Sequence, residues 1–266
     1  MSEITSPPVR YTGSKWRIAP WVISHLPAHR CYCEPFFGGG SVLFRKKPSE
    51  MEVANDINTE VINFFDVLRD RTDELVRAIT LTPNHRAELS RACTPHHDPL
   101  ERARRFYIRA WQSYTAGEAV KLRGWRIEVL ERRGGDDWEK QDRLFTVAKR
   151  LRSVAFESKT ALDILGAYDT DQTLFYCDPP YVSSERVHED YPNEMTDSDH
   201  IALSECLHSI KGMALISGYD SPLYQELYAG WKMVSIEART VNNVRRRECL
   251  WINEAAQRNT AQKRLF

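Results

Sequence analysis

The sequence has no surplus of either charge. Its 37 lysines and arginines are matched by 37 aspartates and glutamates, so the whole-chain balance exerts no pull toward nucleic acid or an anionic surface. It lacks an unbroken apolar run long enough to cross a bilayer, and its N-terminus lacks a signal-peptide pattern; the chain is therefore expected to stay in the cytoplasm, off the membrane. Six cysteines are scattered along the chain; in such a protein they read as free thiols rather than a disulfide framework. Cys31 and Cys33 find no matching Cys/His pair downstream, and the neighbouring His96 and His97 are poorly placed to chelate one ion, so no metal site is expected. The glycine-rich stretch Gly38-Gly39-Gly40-Ser41 lacks the Gly-Lys-Ser/Thr ending of a phosphate-binding P-loop and matches the dinucleotide fingerprint poorly.

What is present begins with composition. Hydrophobic residues make up 42% of the 266 positions and charged residues 28%, the balance of an ordinary globular protein with a buried core. Charge is unevenly spread. Residues 101–152 hold fourteen basic and eight acidic side chains, a local surplus of six. Such a stretch is either a set of solvated helix faces or a surface that grips a phosphate backbone.

Periodicity divides the chain into three parts. Strand patterns at 29–34 and 52–56 alternate with a glycine loop at 36–41 and a helical pattern at 60–68. From about residue 66 to 150 strand signals vanish and arginines and aromatics dominate, with a turn at Gly134-Gly135-Asp136-Asp137. Strand patterns return at 153–157, 173–178, 213–217, 232–238 and 248–252, with helical patterns at 161–165 and 199–210. The expected organisation is thus an α/β domain split into 1–65 and 151–266 around a mainly helical insert at 66–150, with a loose or docked end after residue 257.

Three local patterns suggest chemistry. Glu34-Pro35-Phe36-Phe37-Gly38-Gly39-Gly40-Ser41 follows a strand, and its glycines let backbone approach a ligand closely. Such strand-to-helix loops hold nucleotide-like ligands in open α/β sheets. Asp56 ends the next strand, where a carboxylate can accept both hydroxyls of a ribose; alternatively Asp56 or Asn58 simply caps a helix. Asp178-Pro179-Pro180-Tyr181 stops the most apolar strand. Its prolines remove two amide donors, so the Asp178 carboxylate and the Pro179 carbonyl can both accept from one NH₂ group, while Tyr181 presents a flat face to a base.

Taken together and in this order, the motifs resemble those of the Dam-like (D12 class) DNA adenine-N6 methyltransferases over nearly the whole chain. Arg10-Tyr11-Thr12-Gly13-Ser14-Lys15-Trp16 looks like the family's N-terminal cofactor motif, Glu34 to Gly40 like its glycine-rich motif, Asn55 to Asn58 like its ribose-binding motif, and Asp178 to Tyr181 like its catalytic motif. Ser217-Gly218-Tyr219-Asp220 and Arg246 to Asn253 resemble later family segments. Two stretches depart from the pattern. Thr160 stands where many relatives carry Asp, and Phe106 to Tyr114 matches the recognition segment of GATC-specific members only loosely, more like phage or prophage relatives.

The resemblance implies a Rossmann-like S-adenosylmethionine-dependent methyltransferase with an inserted helical recognition domain. It implies methyl transfer to N6 of an adenine flipped out of double-stranded DNA, by a monomer or weak dimer. It implies catalytic roles for Asp178, Pro179, Pro180 and Tyr181 and cofactor contacts from Tyr11, Lys15, Glu34, Pro35, Phe36, Gly38, Gly40, Asp56, Ile57 and Asp178. The insert supplies Arg109, Lys121, Arg123 and Arg126 as candidates for DNA contact, whereas Trp111 and Trp125 are expected to pack. Asp178 argues against cytosine-N4 enzymes, which usually carry Ser there, and against protein-glutamine enzymes, which carry Asn. An RNA adenine enzyme and a non-catalytic DNA-binding relative are the remaining rivals.

Overall fold

The computed structural model describes residues 4–113, 141–182, 194–239 and 245–263. Lys121, Arg123, Arg126, Trp125 and the Gly134–Asp137 turn lie outside them. Seven strands form one sheet: β1 (Cys31–Glu34), β2 (Met51–Asn55), β3 (Val154–Glu157), β4 (Thr173–Cys177), β5 (Met213–Tyr219), β6 (Lys232–Arg239) and β7 (Arg245–Ile252). Their spatial order is β3-β2-β1-β4-β5-β7-β6. The first five run parallel; β7 inserts antiparallel between β5 and β6. The strand patterns of the sequence thus all become strands, within a few residues at each end.

The helices are α1 (Ala19–Ser24), α2 (Ser41–Arg45), α3 (Thr59–Asp70), α4 (Thr72–Thr80), α5 (Arg86–Ala92), α6 (Pro99–Gln112), α7 (Arg143–Leu151), α8 (Ala161–Tyr168), α9 (Asp197–Ser209), α10 (Pro222–Leu227) and α11 (Glu254–Lys263). Side chains of a strand alternate between faces, so each strand feeds two cores. Tyr32, Ala54, Leu174, Leu215 and Leu250 pack with α1 to α7. Cys33, Val53, Phe175, Ile216 and Trp251 pack with α8 to α10. All six cysteines are free, and Cys31, Cys33, Cys177 and Cys249 are small apolar fillers of that second core.

The described part of the segment 66–150 carries helices and no strand, and α3 runs across its first boundary to Asp70. Its helices share the first core with the sheet rather than building one of their own: Phe106, Tyr107 and Trp111 of α6 meet Phe64 of α3 and one another as stacked or tilted rings. Asp98 caps α6 by accepting from the Glu101 amide, with Pro99 at the first position. The end after residue 257 docks as helix α11, where Asn259 donates to the Ala28 carbonyl at 2.9 Å.

A buried ion cluster closes the lower end of this core. Glu52 on β2, only 1% exposed, receives Lys46 Nζ at 2.5 Å and both terminal nitrogens of Arg150 at 2.5 and 2.8 Å. Arg150 also donates to the Leu43 carbonyl, tying α7 to α2. Removing the carboxylate strands two cations away from water, a loss of about 3–5 kcal/mol. Glu52→Ala is accordingly expected to lower the denaturant midpoint without changing the slope of the transition, as measured by urea unfolding.

Candidate active site

The chain leaves β1 toward β2 on one side and returns to β4 on the other. The connections that leave the neighbouring parallel strands β1 and β4 therefore run in opposite directions from their carboxyl ends, and such a switch in direction opens a crevice. Glu34 ends β1 and Asp178 follows β4, so both motifs arrive at that crevice. A cleft of about 380 Å3 occupies it, within the ~300–1,000 Å3 typical of small-molecule sites. Tyr11, Lys15, Glu34, Pro35, Phe36, Gly38, Asp56, Ile57, Asp178 and Pro180 all line it.

The glycine loop is shaped by its neighbours. Gly38 has φ +49°, and a Cβ there would lie 2.7 Å from the Tyr11 ring; its absence lets Tyr11 rest on the loop. Gly40 is placed differently from expectation. At φ +66° it starts α2, and a Cβ would strike the rings of Phe37 and Phe44 at 2.5 Å. It is outside the cleft lining and serves the turn rather than a ligand. Asn55 locks the loop from below: its side chain donates to the carbonyls of Pro35 and Lys159 and accepts from the Lys159 amide.

Asp56 closes the other wall. Its two carboxylate oxygens accept the amides of Gly38 at 2.8 Å and Asn58 at 2.9 Å. Asn58, not Asp56, caps α3, accepting from the Glu60 amide. Each Asp56 oxygen keeps a further lone pair for a hydroxyl donor. Burial raises the Asp56 carboxyl to about 6, against the pull of those two amides. Glu34 is 2% exposed and accepts from the Tyr32 hydroxyl at 2.7 Å; burial, partly offset by that bond, raises it to about 8. Two desolvated carboxylates facing a partly apolar cleft suit a ligand that brings hydroxyl or ammonium donors. Thr160 caps α8 by accepting from Asp163 and lines the same cleft.

At the far end Lys15 Nζ lies 3.0 Å from Asp178 Oδ1, donates to the Gly13 carbonyl at 2.8 Å, and stands 4.6 Å over the Tyr181 ring. The pair is a close, buried ion contact. Burial pulls the Lys15 ammonium down, but Asp178 and then Glu248 outweigh it and leave it raised. Burial likewise pushes the Asp178 carboxyl up, with Lys15 opposing. The Tyr181 hydroxyl donates to Glu248 on β7 at 2.8 Å, and its ring meets Tyr219 edge-on at 4.5 Å. Burial, then the charges of Asp178 and Glu248, hold that phenol well above its ordinary range.

Glu248, Asn55 and the Tyr176–Ser217 hydroxyl pair at 2.8 Å were not among the expected site residues. Glu248 and Ser217 sat within recognised segments, but nothing in one sequence assigns a glutamate on a distant strand to a tyrosine hydroxyl.

Arg109 is the expected site residue that the fold takes elsewhere. Its guanidinium donates to the Ala92 carbonyl at 2.6 Å, lies 3.7 Å from Glu60 and is 11% exposed. Burial lowers its affinity for a proton. It is committed to the packing of α5 on α6, not turned outward toward DNA. The other α6 arginines behave alike. Arg102 pairs with Glu60, and Arg104 and Arg105 share Glu101, whose carboxyl their hydrogen bonds hold down at about 2. Among the described residues no three metal-ligating side chains gather, and no helix is long and apolar enough to cross a membrane.

Comparison with known proteins finds relatives over most of the chain. The DNA adenine methylase of Salmonella typhi is 27% identical over 244 residues, covering 87% of each chain. That of Escherichia coli K12 is 26% identical with the same coverage. The Type II methyltransferase M1.LlaDCHI of Lactococcus lactis is 24% identical over 272 residues, covering 90% of each. The family profile described as D12 class N6 adenine-specific DNA methyltransferase matches residues 11–242. The chain belongs to that family.

Proposed function

We propose that the cleft binds S-adenosylmethionine and that Asp178 to Tyr181 present the N6 amino group of a flipped adenine to it. Methylation of adenine N6 in DNA is the activity of the family; the residue roles are inferred. The observation that carries them is the convergence of Glu34, Asp56 and Asp178 on one cleft at the strand crossing. The residues present fit a sulfonium nucleoside. Asp56 offers acceptors for ribose hydroxyls, Glu34 an acceptor for the ammonium end, and Lys15 a cation for the carboxylate end. When bound, such a cofactor supplies an electrophilic methyl group.

The remaining work falls to the chain. Adenine's amino nitrogen is a poor nucleophile because its lone pair is drawn into the ring. Accepting its two N–H bonds at the Asp178 carboxylate and the Pro179 carbonyl favours a pyramidal nitrogen with a localised pair, an interaction strongest in the transition state. Asp178 needs to be ionised for this, and Lys15 favours that form. The amino group is out of reach inside a duplex, so the base must leave the stack. Tyr181, held by Glu248, offers its ring to that base, a contact of about 1–3 kcal/mol by analogy with base–aromatic stacking. We place target reading in the 66–150 segment, with Lys121, Arg123 and Arg126 as the candidates, and expect a monomer or weak dimer.

Incubation with unmethylated duplex DNA and S-adenosylmethionine, followed by nucleoside mass spectrometry, is expected to yield N6-methyladenine. Product from RNA but not from DNA would overturn the reading. Asp178→Ala is expected to lower turnover by on the order of a thousandfold or more while calorimetry still detects cofactor binding.

Asp56→Ala is expected to weaken cofactor binding about 10- to 100-fold, the loss of charged hydrogen bonds. The pH dependence has a definite sign. Ribose hydroxyls donate, so they require the carboxylate; cofactor affinity in calorimetry should fall as pH drops below about 6. Asp56→Asn should flatten that dependence. The same raised group stabilises the ligand-free fold fully only below its unfolded value, and that contribution fades as pH rises through about 6. Stability and cofactor affinity therefore respond to Asp56 in opposite directions.

A further inference from the structure

A second cavity, of about 450 Å3, lies at the opposite end of the sheet from the cleft. It is enclosed by α1, by the end of α2 with the Lys46–Pro48 turn that leads into β2, and by α7, which leads into β3. It therefore sits below the amino ends of the strands. In a chain with no net charge, five of its lining side chains are cationic: Arg45, Lys46, Lys47, Lys149 and Arg150. None of its described lining residues is acidic.

The excess of positive charge reaches into the protein. Glu52 lies behind the cavity wall and balances only one of the two cations that hold it, Lys46 and Arg150. Their side chains are 3% and 8% exposed; among the described residues Glu52 is the carboxylate in contact with both, while Glu34 attracts Lys46 from farther off. Burial lowers the Lys46 ammonium even against the attraction of Glu52 and of the more distant Glu34. The Arg150 Nε, also buried, donates to no described residue. Two buried cations that share one contacting carboxylate are costly to keep from water, and a cationic cavity against them is a place where an anion offsets that cost. Arg45 is held at the rim by the Trp16 carbonyl at 2.9 Å and by the face of the Trp16 ring. Ile23 and Phe44 add an apolar wall that suits an organic portion.

We propose that this cavity binds a phosphate-bearing ligand. Arginine and lysine together match a phosphate's charge and acceptor geometry better than a single carboxylate's. The volume is that of a small-molecule site, not a single-ion niche. The phosphate belongs either to a free small molecule or to a DNA backbone, and one experiment separates these sources.

Pyrophosphate is titrated calorimetrically into the protein at low salt, and a duplex of only G·C pairs, which lacks the target base, is titrated by fluorescence anisotropy. Both are repeated with Lys47→Gln/Lys149→Gln, two exposed positions outside the methyl-transfer cleft, and with Thr146→Glu, which sets a carboxylate among the lining residues. The expected result is single-site pyrophosphate binding that weakens about tenfold in the double variant, two exposed ion pairs at the upper end of their usual contribution, and weakens also in Thr146→Glu. Unchanged duplex affinity then identifies a free phosphate compound. If instead the duplex loses affinity in the variants, the site takes backbone phosphates. Equal binding of both probes by all three proteins, or no binding by any, overturns the proposal. Thermal midpoints of the ligand-free variants, expected near that of the parent, show that the fold is kept.

Discussion

A carboxylate that sits where water is largely excluded needs a cation beside it to stay ionised. Lys15 meets that need for Asp178 from a loop that precedes the first helix, while Asp178 arrives from the fourth strand. Much of the surrounding architecture bears on keeping these two groups together. The Gly13 carbonyl fixes the ammonium, Tyr181 lies beneath it, and Glu248 adds a second negative charge from the antiparallel side of the sheet. The glycine loop lets Tyr11 fold down alongside. One cation serving two carboxylates gives the pocket a small charge imbalance that a donor-bearing substrate can relieve.

Much of this was legible in the sequence because the signals were local. Strand alternation, the stop imposed by Pro179-Pro180 and the glycine loop each depend on neighbours in the chain, and all appear within a few residues of where the pattern puts them. The pocket's membership was legible only through the order of motifs, since nothing in spacing brings residues 15, 34, 56 and 178 to one place. Two expectations failed to survive folding for a shared reason. Gly40 and Arg109 have the chemistry of ligand contacts, but the packing of Phe37 and Phe44 and of α5 on α6 claims them first. Glu248 and Glu52 were invisible in the opposite sense: each looks like an ordinary strand residue until its long-range partner is known.

The two ends of the sheet handle charge differently. At the carboxyl ends, carboxylates outnumber their nearby cation and their pKa values rise through burial. At the amino ends, cations outnumber their carboxylate, and Lys46 is lowered. A chain neutral as a whole is thus polarised along its strands, with an acidic cleft at one end and a basic cavity at the other.

Strand β7 is inserted between β5 and β6, although it follows both in the chain. During synthesis the residues that line the cleft emerge well before Arg245. The tether on Tyr181 comes only with Glu248. A chain that stops short of β7 would carry Glu34, Asp56 and Asp178 but lack the Glu248 that holds the Tyr181 hydroxyl.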